Sequence, residues 1–371
     1  MSGQEDSVRQ FDVNLPNVKY IKYREKLGSG AYSLYALRHH QMWLCKFHPH
    51  LTEKLAWYKW ADVVVCAPGG ICMGGFQNWK HLFNLMLAKY MNKPLFYYAR
   101  SFGPFPVTTS SNRLFKRISL EMLHYFTFLS IRDKKTEKLA KKLGVSYIST
   151  IDSAFLDDPV VTIPKEVMNS IGKQRYVVFV PNLLIWHQSF INKISKKNIL
   201  YIYTQLVDLI TRKYPRHKIV MLPQTFNYGV GKDDIWFFRE IASLRPDADI
   251  YVSPDCYSSD IQQAIIRNAD CMIGARYHSV VFALNNNVPF IALSYEHKIS
   301  GLLESLGLQD CMIDITHAFD DNKRIKLFFN DFEKLLQSLH NNPQAKKKAK
   351  LIAMKGFTEF QKHIQMLHIN P

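Results

Sequence analysis

ADCMIGARYHSVVFALNNNVPFIALSYEHK, residues 269–298, sets two short apolar, β-rich runs, Cys271 to Gly274 and Phe290 to Ser294, on either side of a helical pattern. Two strands separated by a helix-length crossover predict a compact βαβ unit with parallel strands. Arg276 and His278 fall at the first turn of that helix, beside unpaired backbone N–H groups and the positive end of its dipole. An anion there meets several favourable contributions together. A histidine in that field should lose its proton more readily than in water, which suits a base or hydrogen-bond donor near neutral pH. An isolated histidine at a helix start more often bonds backbone, but Arg276 two residues earlier shifts the reading toward a site.

The same alternation of strand-like and helical patterns extends outward through the 371 residues. Strands are expected at Asp62 to Ala67, Pro94 to Ala99 and Phe128 to Ile131, then at Tyr176 to Val180, Ile219 to Leu222 and Ile250 to Val252. Helical patterns fill the gaps, as at Asn112 to Phe126 and Lys134 to Leu143. A break falls at Asp157 to Pro164, where DDPVVTIP carries two prolines and no period. The expected domains are 1–158, 165–342 and a basic amphipathic helix over 343–371. The fold class is α/β, with two doubly wound domains facing a cleft and ligands at the carboxyl ends of the strands. The first 50 residues fit least well, with one plausible strand, VKYIKY, and a lone Gly28-Ser29-Gly30 too short for a phosphate loop.

Unusual residues gather where strands run into turns. Pro68-Gly69-Gly70 and Gly74-Gly75 follow the first strand, and missing side chains there would let backbone N–H groups approach an anion. A tight strand-to-helix turn without a ligand explains the same glycines. Arg100-Ser101-Phe102-Gly103-Pro104 follows the second strand and Arg132-Asp133 the third. An arginine fork suits phosphate or carboxylate oxygens, and the rival for Arg132 is a salt bridge.

Composition narrows the classes. With 47% hydrophobic and 21% charged residues the chain can fill two cores. No apolar run is long enough to span a bilayer and the opening MSGQEDSVRQ is polar, so a cytoplasmic protein is expected. The six cysteines form no CxxC pair and read as reduced and structural. No His, Cys and carboxylate cluster has ligand spacing, so no metal is expected. The net charge of +17 favours anionic partners, but no segment resembles a nucleic-acid module. Ala349, Ala353, Phe357, Phe360, Ile364 and Leu367 make one apolar stripe flanked by six lysines. That stripe could rest on an anionic membrane at the inner face, or pack back across the domains.

Taken in order, ADVVVCAPGG, YYARSFGP, LSIRDKKTEKLAKKLGV, IDSAF and IGARYHSVVFAL with VPFIALSYEHK resemble the polysaccharide pyruvyltransferase family over about residues 60 to 310. The resemblance implies two Rossmann-like, GT-B-like domains, phosphoenolpyruvate as co-substrate, no cofactor, and a sugar acceptor that is free, polymeric or lipid-linked. It maps the family's R-x-H onto Arg276 and His278, with Tyr277 where leucine is usual and Ser279 following. It maps R-D onto Arg132 and Asp133, S-x-G-P onto Ser101, Gly103 and Pro104, and Y-x-x-K onto Tyr295 and Lys298. Gly69, Gly70 and Arg100 complete the expected substrate contacts. The family's opening strand and N-x-G-D turn are not found here. In the implied reaction His278 moves the proton, Arg276 and Arg132 hold phosphate and carboxylate, and Asp133 orients Arg132. The N-terminal domain would take the acceptor and the C-terminal domain the donor. A nucleotide-sugar glycosyltransferase and a non-catalytic polyanion binder are the competing readings.

Overall fold

A computed structural model describes residues 29–70, 73–74, 77–158, 160–186, 190, 194–225, 234–254, 257–295 and 297–367, and in it the alternation becomes two parallel sheets. The chain divides into two compact units, with boundaries between Leu156 and Asp157 and between Ala349 and Lys350.

The N-terminal unit begins with helices α1 (Ser29–Arg38) and α2 (Pro49–Trp60), joined through a 3-10 turn at Met42–Phe47. Gly30 therefore sits in a helix, not in a phosphate loop; Gly28 and VKYIKY lie outside the described residues. There follow β1 (Val64–Cys66), α3 (Trp79–Tyr90), β2 (Leu95–Arg100), α4 (Ser110–Tyr125), β3 (Phe128–Ile131), α5 (Lys134–Lys142) and β4 (Ile148–Ser149). Asn78, Thr109 and Asp133 cap α3, α4 and α5, each side chain accepting from a backbone N–H of the first turn.

Strand order in this sheet is β1-β2-β3-β4, all parallel, so the described strands step in one direction. Right-handed crossovers taken in one direction lay their helices on one face of a sheet. The side chains agree. Leu95 and Tyr97 of β2 and Leu129 and Ile131 of β3 join the core made by α3 and α4, while Phe96, Tyr98 and Phe128 form a second cluster on the opposite face. That face needs a cover from elsewhere in the chain.

The C-terminal unit runs α6 (Lys165–Ile171), β5 (Tyr176–Val180), α7 (Lys196–Lys213), β6 (Lys218–Met221), α8 (Asp234–Ser243), β7 (Ile250–Val252) and α9 (Ser259–Arg267). It continues with β8 (Met272–Gly274), α10 (Tyr277–Asn285), β9 (Phe290–Ser294), α11 (His297–Leu306), β10 (Met312–Asp314) and α12 (Asn322–Gln337). Its order is β10-β9-β8-β5-β6-β7, all parallel. The chain starts in the middle at β5, walks to β7, then returns to β8 on the other side. This is a doubly wound sheet whose topological switch lies between β5 and β8. Every residue of β5, β8 and β9 is buried, as expected for strands covered on both faces.

The last helix, α13 (Pro343–Met366), supplies the missing cover for the N-terminal sheet. The Phe360 ring lies 4.8 Å from Tyr98 and 5.7 Å from both Phe96 and Phe128, and Ile364 and Leu367 pack on the same cluster. Of the two readings of the apolar stripe, a membrane surface or packing back into the fold, the structure shows packing, because a one-directional sheet leaves one face bare. Among the described residues no helix is long and apolar enough to cross a membrane. Gly356 lets α13 come this close, since a Cβ there would overlap the Thr150 hydroxyl. Replacing Gly356 with leucine should cost about 1–3 kcal/mol by overpacking. A fall in thermal midpoint together with binding of an apolar dye is expected; an unchanged midpoint and no dye binding would show that the helix is not seated there.

Candidate functional site

Arg276 occupies the N-cap position of α10, immediately beyond β8 at the switch point of the C-terminal sheet. The sequence builds this corner through a close approach. A Cβ on Gly274 would overlap the Ser279 hydroxyl, so only glycine lets the first turn of the helix fold back on the strand. Ser279 is fully buried and its hydroxyl donates to the Arg276 carbonyl at 2.6 Å. Ser279, expected among the substrate contacts, therefore brackets the turn through its hydroxyl.

The Arg276 guanidinium pairs with Asp234, whose side chain is 2% exposed. Asp234 also accepts from the backbone N–H groups of Gln224 at 2.9 Å and Thr225 at 2.8 Å. One carboxylate thus ties the end of β6 to the end of β8. Burial pushes the Asp234 carboxyl above its ordinary range, and the pull of Arg276 and the two N–H groups does not fully offset it. Burial works against the Arg276 charge as well, but Asp234, with Tyr295 nearby, holds the guanidinium firmly protonated. The pair holds the guanidinium in a set position beside the amino end of α10, whose dipole adds a positive field there.

His278 lies exposed in the same turn, its ring 5.4 Å from Tyr277 and stacked on Phe282 at 6.0 Å. Tyr277 is half-buried. Tyr295 is buried at the end of β9, and Lys298 is half-buried in the first turn of α11. The C-terminal unit therefore gathers Arg276, Tyr277, His278 and Tyr295 around one set of strand ends, with Lys298 on the adjoining helix.

The N-terminal candidates are arranged differently. Arg132 is 3% exposed and paired with Asp152, its Nε donating to the Ser101 hydroxyl at 3.3 Å. Ser101 in turn donates to Asp133 at 2.6 Å, and Asp133 accepts from the backbone N–H of Thr136 at 2.8 Å as the cap of α5. Arg132, Asp152, Ser101 and Asp133 form a closed polar network that joins the ends of β2, β3 and β4. Arg132 makes the salt bridge that was the rival reading of it, with Asp152 and not Asp133 as the partner. A charge buried this deeply is stable only when neutralised, and Asp152 neutralises it. The Arg100 guanidinium donates to the carbonyls of Ala67 and Gly70 and lies against Gly69, so it clamps the glycine turn. Gly103 is buried and its N–H donates to the Met73 carbonyl at 2.7 Å; Gly75 lies outside the described residues. Near this turn, burial and then the Arg100 charge push His81 down to about 4.

Sequence reading missed Asp234, Asn182 and Gln224. A signal was present, since Val180-Pro181-Asn182 and Leu222-Pro223-Gln224 end two adjacent strands in the same way, an apolar residue, a proline and an amide. Tertiary contact also draws together Asp310, Cys311 and His340, whose ligating atoms lie within 4.8 Å of one another. Sequence spacing conceals that group. It precedes β10, at the amino end of a parallel sheet whose carboxyl ends carry Arg276, and so takes no part in that site.

Two solved structures share this architecture. The UDP-GlcNAc 2-epimerase of Methanocaldococcus jannaschii is similar with a TM-score of 0.53 at 13% identity, over 95% of this chain and 88% of that one. The UDP-GlcNAc 2-epimerase of Neisseria meningitidis is similar with a TM-score of 0.52 at 11% identity, over 96% and 88%. Likeness at that identity defines the class, a GT-B-like protein of two Rossmann-like domains, and nothing of its chemistry. The sequence profile of the polysaccharide pyruvyl transferase family matches residues 6–297, and the chain belongs to that family. The amylovoran biosynthesis protein AmsJ of Erwinia amylovora is 22% identical over 303 residues, covering 78% of this chain and 69% of that protein. The protein is accordingly a transferase of polysaccharide biosynthesis.

The Arg132 network makes a direct prediction. Replacing Arg132 with leucine strands the Asp152 charge and should destabilise by about 3–5 kcal/mol. Adding Asp152→Asn should recover most of that loss in a chemical denaturation series, whereas equal losses in single and double variants would rule out the pair as the cause. His81 predicts a pH effect with a definite sign. The folded chain keeps it neutral down to about 4. An unfolded chain takes up the proton near 6.5, so its contribution to stability is complete above that pH and falls away on acidification toward 4. Thermal midpoints of wild type and His81→Phe should therefore draw together between pH 7 and 5; parallel curves would remove His81 from the account.

Proposed function

We propose that the protein transfers the three-carbon unit of phosphoenolpyruvate to a sugar, forming a pyruvate ketal and releasing orthophosphate. The observation that carries this reading is the fixed Arg276 charge at the start of α10 with the exposed His278 in the same turn. Phosphoenolpyruvate places a phosphate and a carboxylate on one small frame, and a guanidinium beside a helix amino terminus suits such an anion. Lys298 and Tyr295 stand at the neighbouring strand end and complete the cationic and donor groups of this proposal.

In the reaction a proton adds to the terminal carbon of the enol, leaving the central carbon open to attack. One sugar hydroxyl adds to that carbon, and a second then displaces phosphate as the ketal closes. One hydroxyl proton is carried to the new methyl group and the other leaves with phosphate, so atoms and charge balance. His278 passes the protons and Arg276 holds the developing charge on the leaving group. The Arg132 network acts by position, keeping the ends of β2, β3 and β4 in place. The acceptor is a glycan of an exopolysaccharide, capsule or cell wall, or its lipid-linked precursor. Any contact with an anionic membrane falls to the exposed Lys347, Lys348, Lys355 and Lys362 of α13, since its apolar stripe is occupied.

The test is turnover of purified protein with phosphoenolpyruvate and a glycan acceptor, following orthophosphate release and the mass of the glycan. His278→Ala should lose about 10²- to 10⁴-fold in kcat while phosphoenolpyruvate still binds. Nearly full turnover in that variant removes His278 from the chemistry. Release of a nucleotide from a sugar nucleotide, with no use of phosphoenolpyruvate, would instead make the protein a glycosyltransferase.

A further inference from the structure

The register of the C-terminal sheet sets three polar side chains in one row. Val180 of β5 pairs with Gly274 of β8, and Phe179 of β5 pairs with Met221 of β6. The Ala275 N–H donates to the Val180 carbonyl at 2.8 Å, which carries the β5 to β8 pairing one residue further. Counting equal steps past these pairs brings Asn182 between Arg276 on one side and Gln224 on the other. All three stand at the carboxyl ends of adjacent parallel strands, at the switch point where doubly wound sheets take their ligands.

The hydrogen-bonding state of this row is unusual. Asn182 is fully buried, yet among the described residues neither its Nδ2 nor its Oδ1 has a partner. The Oε1 of Gln224 and the Nε of Arg276 are buried and, among the described residues, unpartnered as well. The position of Asn182 is fixed, since its backbone N–H donates at 3.1 Å to the hydroxyl of Tyr203. Gln224 is fixed through its Nε2, which donates to Gln262 at 3.2 Å. A buried amide left unsatisfied is destabilising, and an apolar side chain of the same size would avoid that cost. Two such amides on neighbouring strands, each held in place by other bonds, mark a binding surface.

The chemistry of the unpartnered atoms separates two kinds of ligand. Arg276 Nε is a donor and suits an anion. The carbonyl oxygens of Asn182 and Gln224 are acceptors and call for O–H groups, which ionised phosphoenolpyruvate lacks. Ketal formation consumes two hydroxyls of one sugar. The geometry points to Asn182 and Gln224 as the hydroxyl-reading part of the site, their side-chain carbonyls accepting from two hydroxyls of the acceptor sugar while Arg276 holds the anionic donor. This inference rests on the transfer reaction proposed above.

Thermal unfolding of wild type, Asn182→Leu and Gln224→Met tests it with phosphoenolpyruvate alone, and with phosphoenolpyruvate plus the methyl glycosides of glucose, galactose, mannose or N-acetylglucosamine. Wild type should gain a few degrees with phosphoenolpyruvate, and a further increment with at least one glycoside. Asn182→Leu should unfold at or above the wild-type temperature, keep the phosphoenolpyruvate shift and lose the glycoside increment; Gln224→Met should also lose that increment. A glycoside increment that survives both changes means the row holds only water and overturns the inference. So does a lower midpoint for Asn182→Leu, loss of both shifts together, or a wild type that answers to none of the four glycosides. If wild type ignores phosphoenolpyruvate but keeps a glycoside shift that depends on Asn182, the donor assignment fails and the row stands.

Discussion

The buried ion pair between Arg276 and Asp234 is the constraint on which the C-terminal site depends. Asp234 accepts from Arg276 and from two backbone N–H groups that close β6, so strand ends on both sides of β5 are fixed by one carboxylate. An arginine alone at a helix start would swing toward water. Held by a carboxylate that is itself held, it becomes a charge of set position, and a positioned charge lowers a barrier without reorganising during the reaction. Burial raises the cost of each member alone, which makes the two charges interdependent.

The N-terminal unit solves a different problem with similar parts. Its four described strands step in one direction, so helices from the crossovers protect one face only. The chain answers with its own last helix, placed against Phe96, Tyr98 and Phe128. Arg132 and Asp152 then close the carboxyl ends of the strands with a neutral pair, not an open charge. Both units put arginines at strand ends. Arg132 is sealed in a polar network, whereas Arg276 keeps a buried Nε with no partner among the described residues.

Much of this was legible in the sequence. Phe128 to Ile131, Tyr176 to Val180 and Phe290 to Ser294 coincide with strands because fully buried parallel strands leave continuous apolar runs, and the half-buried Ile250 to Val252 coincides as well. β4, of two residues, and β10, with only its middle residue buried, carry too little pattern to be seen. Arg276 and His278 could be placed at the start of α10 because a helix start depends on neighbours in sequence. The Asp152 partner of Arg132 could not be read for the opposite reason: it comes from another strand end, and only register brings them together. The stripe of α13 was visible, but not the surface it covers, since that surface follows from the winding direction of a sheet far away in the chain. Asn182 and Gln224 escaped notice because single amides carry no period; the repeated proline before each was the available clue.

Diffraction from crystals of the protein grown with phosphoenolpyruvate gives the most direct view of the central claim. Ligand oxygens should lie at about 2.7–3.2 Å from the Arg276 guanidinium, with the His278 ring facing the enol carbon and the ligand at the carboxyl ends of β5 and β8. Phosphoenolpyruvate seated at the amino ends of those strands, or bound without any contact to Arg276 or His278, would mean that the site has been put in the wrong place.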